Sequence, residues 1–312
     1  MLRPSTCRRG ALGCALLSLA ASSASAIVTF GSNGFNGLNI NDHIGATRWY
    51  SRGYHGSRAI IANVEAGHIW KGHDTLNAQL AAFITAPTAL GDTDRHATWV
   101  GHILAGQLGG LNPGEHQRGI ADAATLWSAA IASDWNSAGF GFYSTSFNFS
   151  TLAYLDAYRT ATLSGLGGIR ADVVNSSWGF LDRTQNSQLI RIIDGIARDS
   201  GKLFVISAGN GGPSGDTVQV PASAFNTLSV GALAGSTDPD PFMRVARFSA
   251  RGPSAFFDPS VGTIPGVRAG VDIVAPGSDF TLARYGGATG GNVFGGSVST
   301  ATNEYNTRMQ GT

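Results

Sequence analysis

Cysteine is nearly absent from this chain: among 312 residues only Cys7 and Cys14 are cysteines, and both fall within the first 26 positions. Disulfides and thiol catalysis are thereby excluded from everything after that segment. Charge is scarce as well, with 13% charged residues and a formal net charge of +1. Nucleic acid and anionic membrane surfaces need a basic footprint that is missing here, so neither is expected as a partner. No apolar run reaches the ~20 residues of a membrane span, and there is no internal repeat or low-complexity tract. Zinc chemistry lacks its usual signatures too. Glu65, His68 and His73 lie close in sequence, but there is no His-Glu-x-x-His helix and no cysteine pair.

What is present starts with an export pattern. Arg3, Arg8 and Arg9 give a positive start, residues 11–21 an apolar stretch, and Ala24-Ser25-Ala26 a small-x-small cleavage site. Removal of residues 1–26 is expected, and with it a secreted or periplasmic location. Residues 27–56 form a polar extension rich in Gly and Asn, without clear periodicity. The remainder, 57–312, is long enough for a large α/β domain, and 43% hydrophobic residues can fill its core.

From residue 57 the texture changes. Ala59-Ile60-Ile61-Ala62-Asn63-Val64 is a short, mostly apolar run that suits a buried parallel strand, ending at Glu65. Four further runs behave alike: Val173-Val174 leads into Asn175-Ser176-Ser177-Trp178-Gly179, residues 203–206 into Ser207-Ala208-Gly209-Asn210, residues 228–230 into Gly231, and residues 271–274 into Ala275-Pro276-Gly277. Between them, Leu189, Ile193, Ile196 and Ala197 share one helical face, and Gly201 marks its stop. Alternating strands and helices imply a doubly wound, mostly parallel sheet with helices on both faces. In such a sheet the carboxyl ends of the strands border the ligand crevice, so Glu65, Ser177 and Asn210 are expected along one edge. Residues 133–150, rich in Gly, Ser and aromatics, read as a loop walling the cleft.

Taken in order, these blocks resemble the subtilisin-like serine peptidases, the subtilase family, over residues 56–312. Val64-Glu65-Ala66-Gly67 stands where the family has Asp-Thr/Ser-Gly, and His73-Asp74-Thr75-Leu76 resembles the segment that follows. His96-Ala97-Thr98-Trp99-Val100-Gly101-His102 resembles the family's histidine helix, Gly119-Ile120-Ala121 with Leu126 its Gly-Val-Ala-Pro segment, and Asn175 to Gly179 its substrate-binding strand. Ser207 to Asn210 matches the Ala-Ala-Gly-Asn turn, Phe248 to Pro253 and Asp272 to Gly277 two further blocks, and Gly311-Thr312 the start of Gly-Thr-Ser. The resemblance therefore implies a serine nucleophile immediately after Thr312, outside these 312 residues, and residues 1–312 alone are expected to be inactive.

The chemistry assigns each part a role. A serine hydroxyl needs a base to take its proton, and the resemblance implies His96 for that work. A carboxylate must orient the imidazole, which implies Glu65, one methylene longer than the family's Asp. Asn210 would donate to the oxyanion, and Ser177, Trp178 and Gly179 would line an extended peptide. Other readings stay open. Glu65 could be a solvated strand end with Asp92 or Asp94 in its place, Asn210 an asparagine favoured by a left-handed turn, and Trp178 plain core. His68, His73 and His102 read as structural or solvent-exposed. The expected function is an exported serine endopeptidase acting on protein or peptide substrates, the alternative a non-catalytic peptide-binding relative. No cofactor is expected; relatives often hold structural calcium, but no Asp-rich loop for it is evident.

Overall fold

The computed structural model describes residues 38–108, 118–137, 145–294 and 296–312. The export segment and both cysteines lie outside the described residues. Two single-turn helices come first, α1 (Ile40–His43) and α2 (Thr47–Tyr50), then strands β1 (Ile60–Glu65) and β2 (Leu80–Thr85), helix α3 (Arg95–Ala105) and strand β3 (Thr125–Ala130). A hairpin, β4 (Asp134–Ser137) and β5 (Thr145–Asn148), precedes α4 (Thr151–Arg159), β6 (Val173–Ser176), α5 (Gln188–Ser200) and β7 (Leu203–Ser207). Strands β8 (Leu228–Ala234), β9 (Arg244–Val245), β10 (Ser254–Asp258), β11 (Gly262–Arg268), β12 (Ile273–Pro276), β13 (Phe280–Ala283) and β14 (Tyr305–Met309) follow, with a short 3₁₀ helix, Gly290–Phe294, between the last two.

Seven strands pair in the order β12-β8-β7-β6-β1-β3-β2, all parallel, and β9 adds an antiparallel edge to β8. The doubly wound reading is therefore correct. Side-chain alternation divides β1 between two cores: Ala62 and Val64 pack with α4 and α5, whereas Ile61 packs with Ala97 and Ala105 of α3. Helix α5 buries Leu189, Ile193, Ile196 and Ala197 and stops at Gly201, whose φ of +63° is the left-handed cap that glycine adopts without penalty. The extension is not featureless. Leu38 and Ile40 bury against Phe242, with Leu233 and Phe280 beside them.

Candidate active site

Three strand ends and one helix start converge on a cleft of about 520 Å³, a size typical of ligand sites. Glu65 closes β1, Ser177 follows β6, Asn210 follows β7, and His96 sits in the first turn of α3. All four line the cleft. Asp94 places the histidine. Its carboxylate accepts the His96 and Ala97 backbone N–H groups at 3.1 and 3.2 Å and that of Gly291 at 2.7 Å, which fixes the first turn of α3.

Glu65 is not a solvated strand end, because its side chain is 1% exposed. One carboxylate oxygen accepts the Ser177 N–H at 2.6 Å and the other meets His96 Nδ1 at 3.0 Å. The buried carboxylate is an acceptor, so Nδ1 carries the proton and Nε2 is left with a lone pair. The histidine ring is 42% exposed. Burial opposes its charging, yet the charge and hydrogen bond of Glu65 and the nearby Asp94 carboxylate prevail over burial and Arg95, and its pKa is raised above the ordinary 6.5. Asp92 and Asp94 are occupied elsewhere: Asp92 accepts the Trp135 indole N–H at 2.9 Å, and Asp94 caps α3.

Asn210 is not in a left-handed conformation; the positive φ, +108°, belongs to Gly209. Its side-chain carbonyl accepts both the backbone N–H and the hydroxyl of Thr312 at 3.1 Å, and Thr312 Oγ1 in turn accepts the Gly209 N–H. This leaves the Asn210 NH₂ as a donor beside Gly311, where an added Cβ would lie 3.8 Å from it. Gly311 is itself seated by a 2.9 Å bond from its N–H to the Gly277 carbonyl.

Trp178 is both core and wall. It is buried against Phe147, Phe149 and Tyr154, its indole N–H reaches the Val64 carbonyl at 3.0 Å, and it still borders the cleft. The Ser177 N–H is turned inward to Glu65. Gly179 is required by close approach, since a Cβ there would come within 3.0 Å of the Gln219 side chain and the Val220 carbonyl. Residues 133–150 are not a loop at their described ends but the β4–β5 hairpin, whose Trp135 and Phe147 line the cleft. Sequence reasoning missed Gln219, Phe280, Leu282 and Met309, which also line it and carry no motif of their own, and gave Trp99, quoted only within the histidine-helix motif, no place in the cleft.

Three further histidines, His68, His73 and His102, face inward. His68 bonds Thr85 Oγ1 at 2.9 Å, His73 lies between Thr75 and the Glu304 carbonyl, and His102 accepts the Ala283 N–H at 2.8 Å. None is solvent-exposed. Among the described residues, no three His, Cys, Asp or Glu side chains converge as metal ligands would, and no helix is long and apolar enough to cross a membrane.

Three solved structures with similar folds are proteases. The prenylagaramide maturation protease PagA is 22% identical, with a TM-score of 0.54 over 77% of this chain and 70% of that one. A psychrophilic protease is 21% identical, with a TM-score of 0.56 over 82% and 72%. A psychrophilic subtilisin-like protease from the Antarctic psychrotroph Pseudoalteromonas sp. AS-11 is 20% identical, with a TM-score of 0.55 over 80% of this chain and 47% of that one. These likenesses concern the fold. The profile of the subtilase family matches residues 76–312, a span that holds His96, Ser177 and Asn210 and begins after Glu65. On that match the chain belongs to the subtilase family, and is a serine-type peptidase by family.

Proposed function

We propose that this chain belongs to an exported endopeptidase that cuts peptide bonds through a Glu65–His96–serine triad, the serine being the residue that follows Thr312. The observation that carries the reading is the buried Glu65 carboxylate, held by the Ser177 N–H and bonded to His96 Nδ1 at the mouth of the cleft. His96 Nε2 takes the proton of the serine hydroxyl as the oxygen attacks the scissile carbonyl, and returns it to the leaving amine. Glu65 holds the ring in the tautomer that makes this transfer possible and stabilises the imidazolium. The Asn210 NH₂ stabilises the oxyanion beside the backbone that runs through Gly311 and Thr312. Backbone of residues 177–179 lies along the substrate, with Trp178 and Gly179 shaping the adjoining wall. On this reading residues 1–312 alone do not turn over substrate, residues 1–26 direct export, and the substrate is a protein or peptide.

The test is hydrolysis of a generic protein substrate by the protein extended beyond Thr312. Turnover that disappears in His96→Ala is expected. Peptide binding without turnover, in a protein whose residue after Thr312 is serine, would overturn the enzyme reading in favour of a peptide-binding protein.

A further inference from the structure

A parallel strand covered on both faces is ordinarily apolar throughout, and β1 breaks that rule two residues before Glu65. Asn63 is 0% exposed. It lies on the face of β1 that meets α3, the face shared with Ile61 and Glu65, so its amide is buried between the sheet and the helix that carries His96. An amide left unpaired in such a place is destabilising, so its partners are informative. In the strand register Asn63 stands beside Asn175 of β6, and the Asn175 side-chain NH₂ donates to Asn63 Oδ1 at 3.0 Å. The same NH₂ donates to Ser177 Oγ at 3.3 Å. On the other side, Asn63 Nδ2 reaches the Ala97 carbonyl, next to His96, at a long 3.5 Å.

We infer that Asn63 is a positioning residue for the candidate acid–base pair: through Asn175 it fixes the Ser177 backbone that holds Glu65, and it ties that backbone to the first turn of α3. One amide thus spans the three elements that must stay in register for the Glu65 carboxylate to meet Ser177 N–H and His96 Nδ1 at once. Glu65 has a longer side chain than Asp and one more rotatable bond, so it depends on this external hold for its direction. The inference deepens the proposed function and rests on its assignment of Glu65 and His96. Its first test needs no turnover.

That test is the titration of His96 followed by imidazole NMR in this 312-residue chain and in Asn63→Leu, a near-isosteric change. Among the described residues, the charged groups acting on His96 are Glu65 from β1 and Asp94 and Arg95 at the start of α3, and the variant changes none of them. The expected result is a midpoint lowered by about half a pH unit or more, because a loosened Glu65 stabilises the imidazolium less. An unchanged midpoint in a folded Asn63→Leu overturns the inference, since a purely structural role would alter stability alone. If Asn63→Leu does not fold, Asn63→Ser and Asn175→Ser are read by the same criterion. In the extended protein, Asn63→Leu is expected to lower kcat about tenfold with KM unchanged, and a change confined to KM overturns it. A lowered midpoint in a protein that never hydrolyses peptide leaves the positioning role standing and removes the proposed function.

Discussion

Glu65 serves two partners with one carboxylate. Its oxygens reach Ser177 N–H at 2.6 Å and His96 Nδ1 at 3.0 Å. Shortening it by one methylene withdraws both oxygens by roughly 1.5 Å, beyond hydrogen-bond range of at least one partner. In the extended protein, Glu65→Asp is therefore expected to lose at least about tenfold in kcat, and Glu65→Ala about 10²- to 10⁴-fold, with folding little changed in thermal melts. Wild-type turnover in Glu65→Ala would remove Glu65 from the site. The raised pKa of His96 sets a second expectation. A general base works only when neutral, so kcat/KM should rise with pH through a midpoint above 6.5, and Glu65→Gln should move that limb downward. The associated stability has the opposite sense: it is fully present below 6.5 and fades as pH rises through the raised folded value. A limb at or below 6.5 in the wild type contradicts the assigned coupling.

At the scale of elements, the first turn of α3 is where His96 is aimed, and Asp94 is what fixes that turn. Its carboxylate accepts three backbone N–H groups, two in α3 and one at Gly291. Asp94→Ala should lower unfolding free energy by about 1–2 kcal/mol in urea titrations, and a neutral result would show that the cap is dispensable. The strands that carry site residues were legible because each is an apolar run with an abrupt polar end. Glu65, Asn175 to Gly179 and Ser207 to Asn210 announce themselves in that way. Strand β2 was not legible: only Leu80 and Ile84 are buried in Leu80-Ala81-Ala82-Phe83-Ile84-Thr85, at the sheet edge. Nor was β3, whose alanines prefer no strand and gain their place from burial alone. The β4–β5 hairpin hid behind a Gly- and Ser-rich composition. Within the site, the donor to Glu65 was hidden for another reason. A backbone N–H has no side-chain signature, so its engagement depends on which way the chain turns after β6.

Across the whole molecule, the sheet brings distant segments to one edge, and buried histidines hold its other connections. His68 is enclosed between Ser128, Thr85 and the Phe83 ring, and burial lowers its pKa to about 4, against a smaller opposing contribution from Ser128. Its folded value lies below the ordinary 6.5, so the unfolded chain binds the extra proton between these limits. Stability is then whole above pH 6.5 and declines as pH falls toward 4, by about 3 kcal/mol from this residue. Urea denaturation from pH 7 to pH 4 should show the decline, and His68→Leu should flatten it; an equal slope in the variant excludes His68 as the cause. The central claim is that this fold assembles an acid, a base and an oxyanion donor around a serine just past Thr312. A fluorophosphonate probe, which labels only an activated serine, tests it most directly in the extended protein, with the adduct located by mass spectrometry. The account predicts one adduct, on the residue following Thr312, that disappears in His96→Ala. An adduct at another residue, or none in a folded protein, would contradict it.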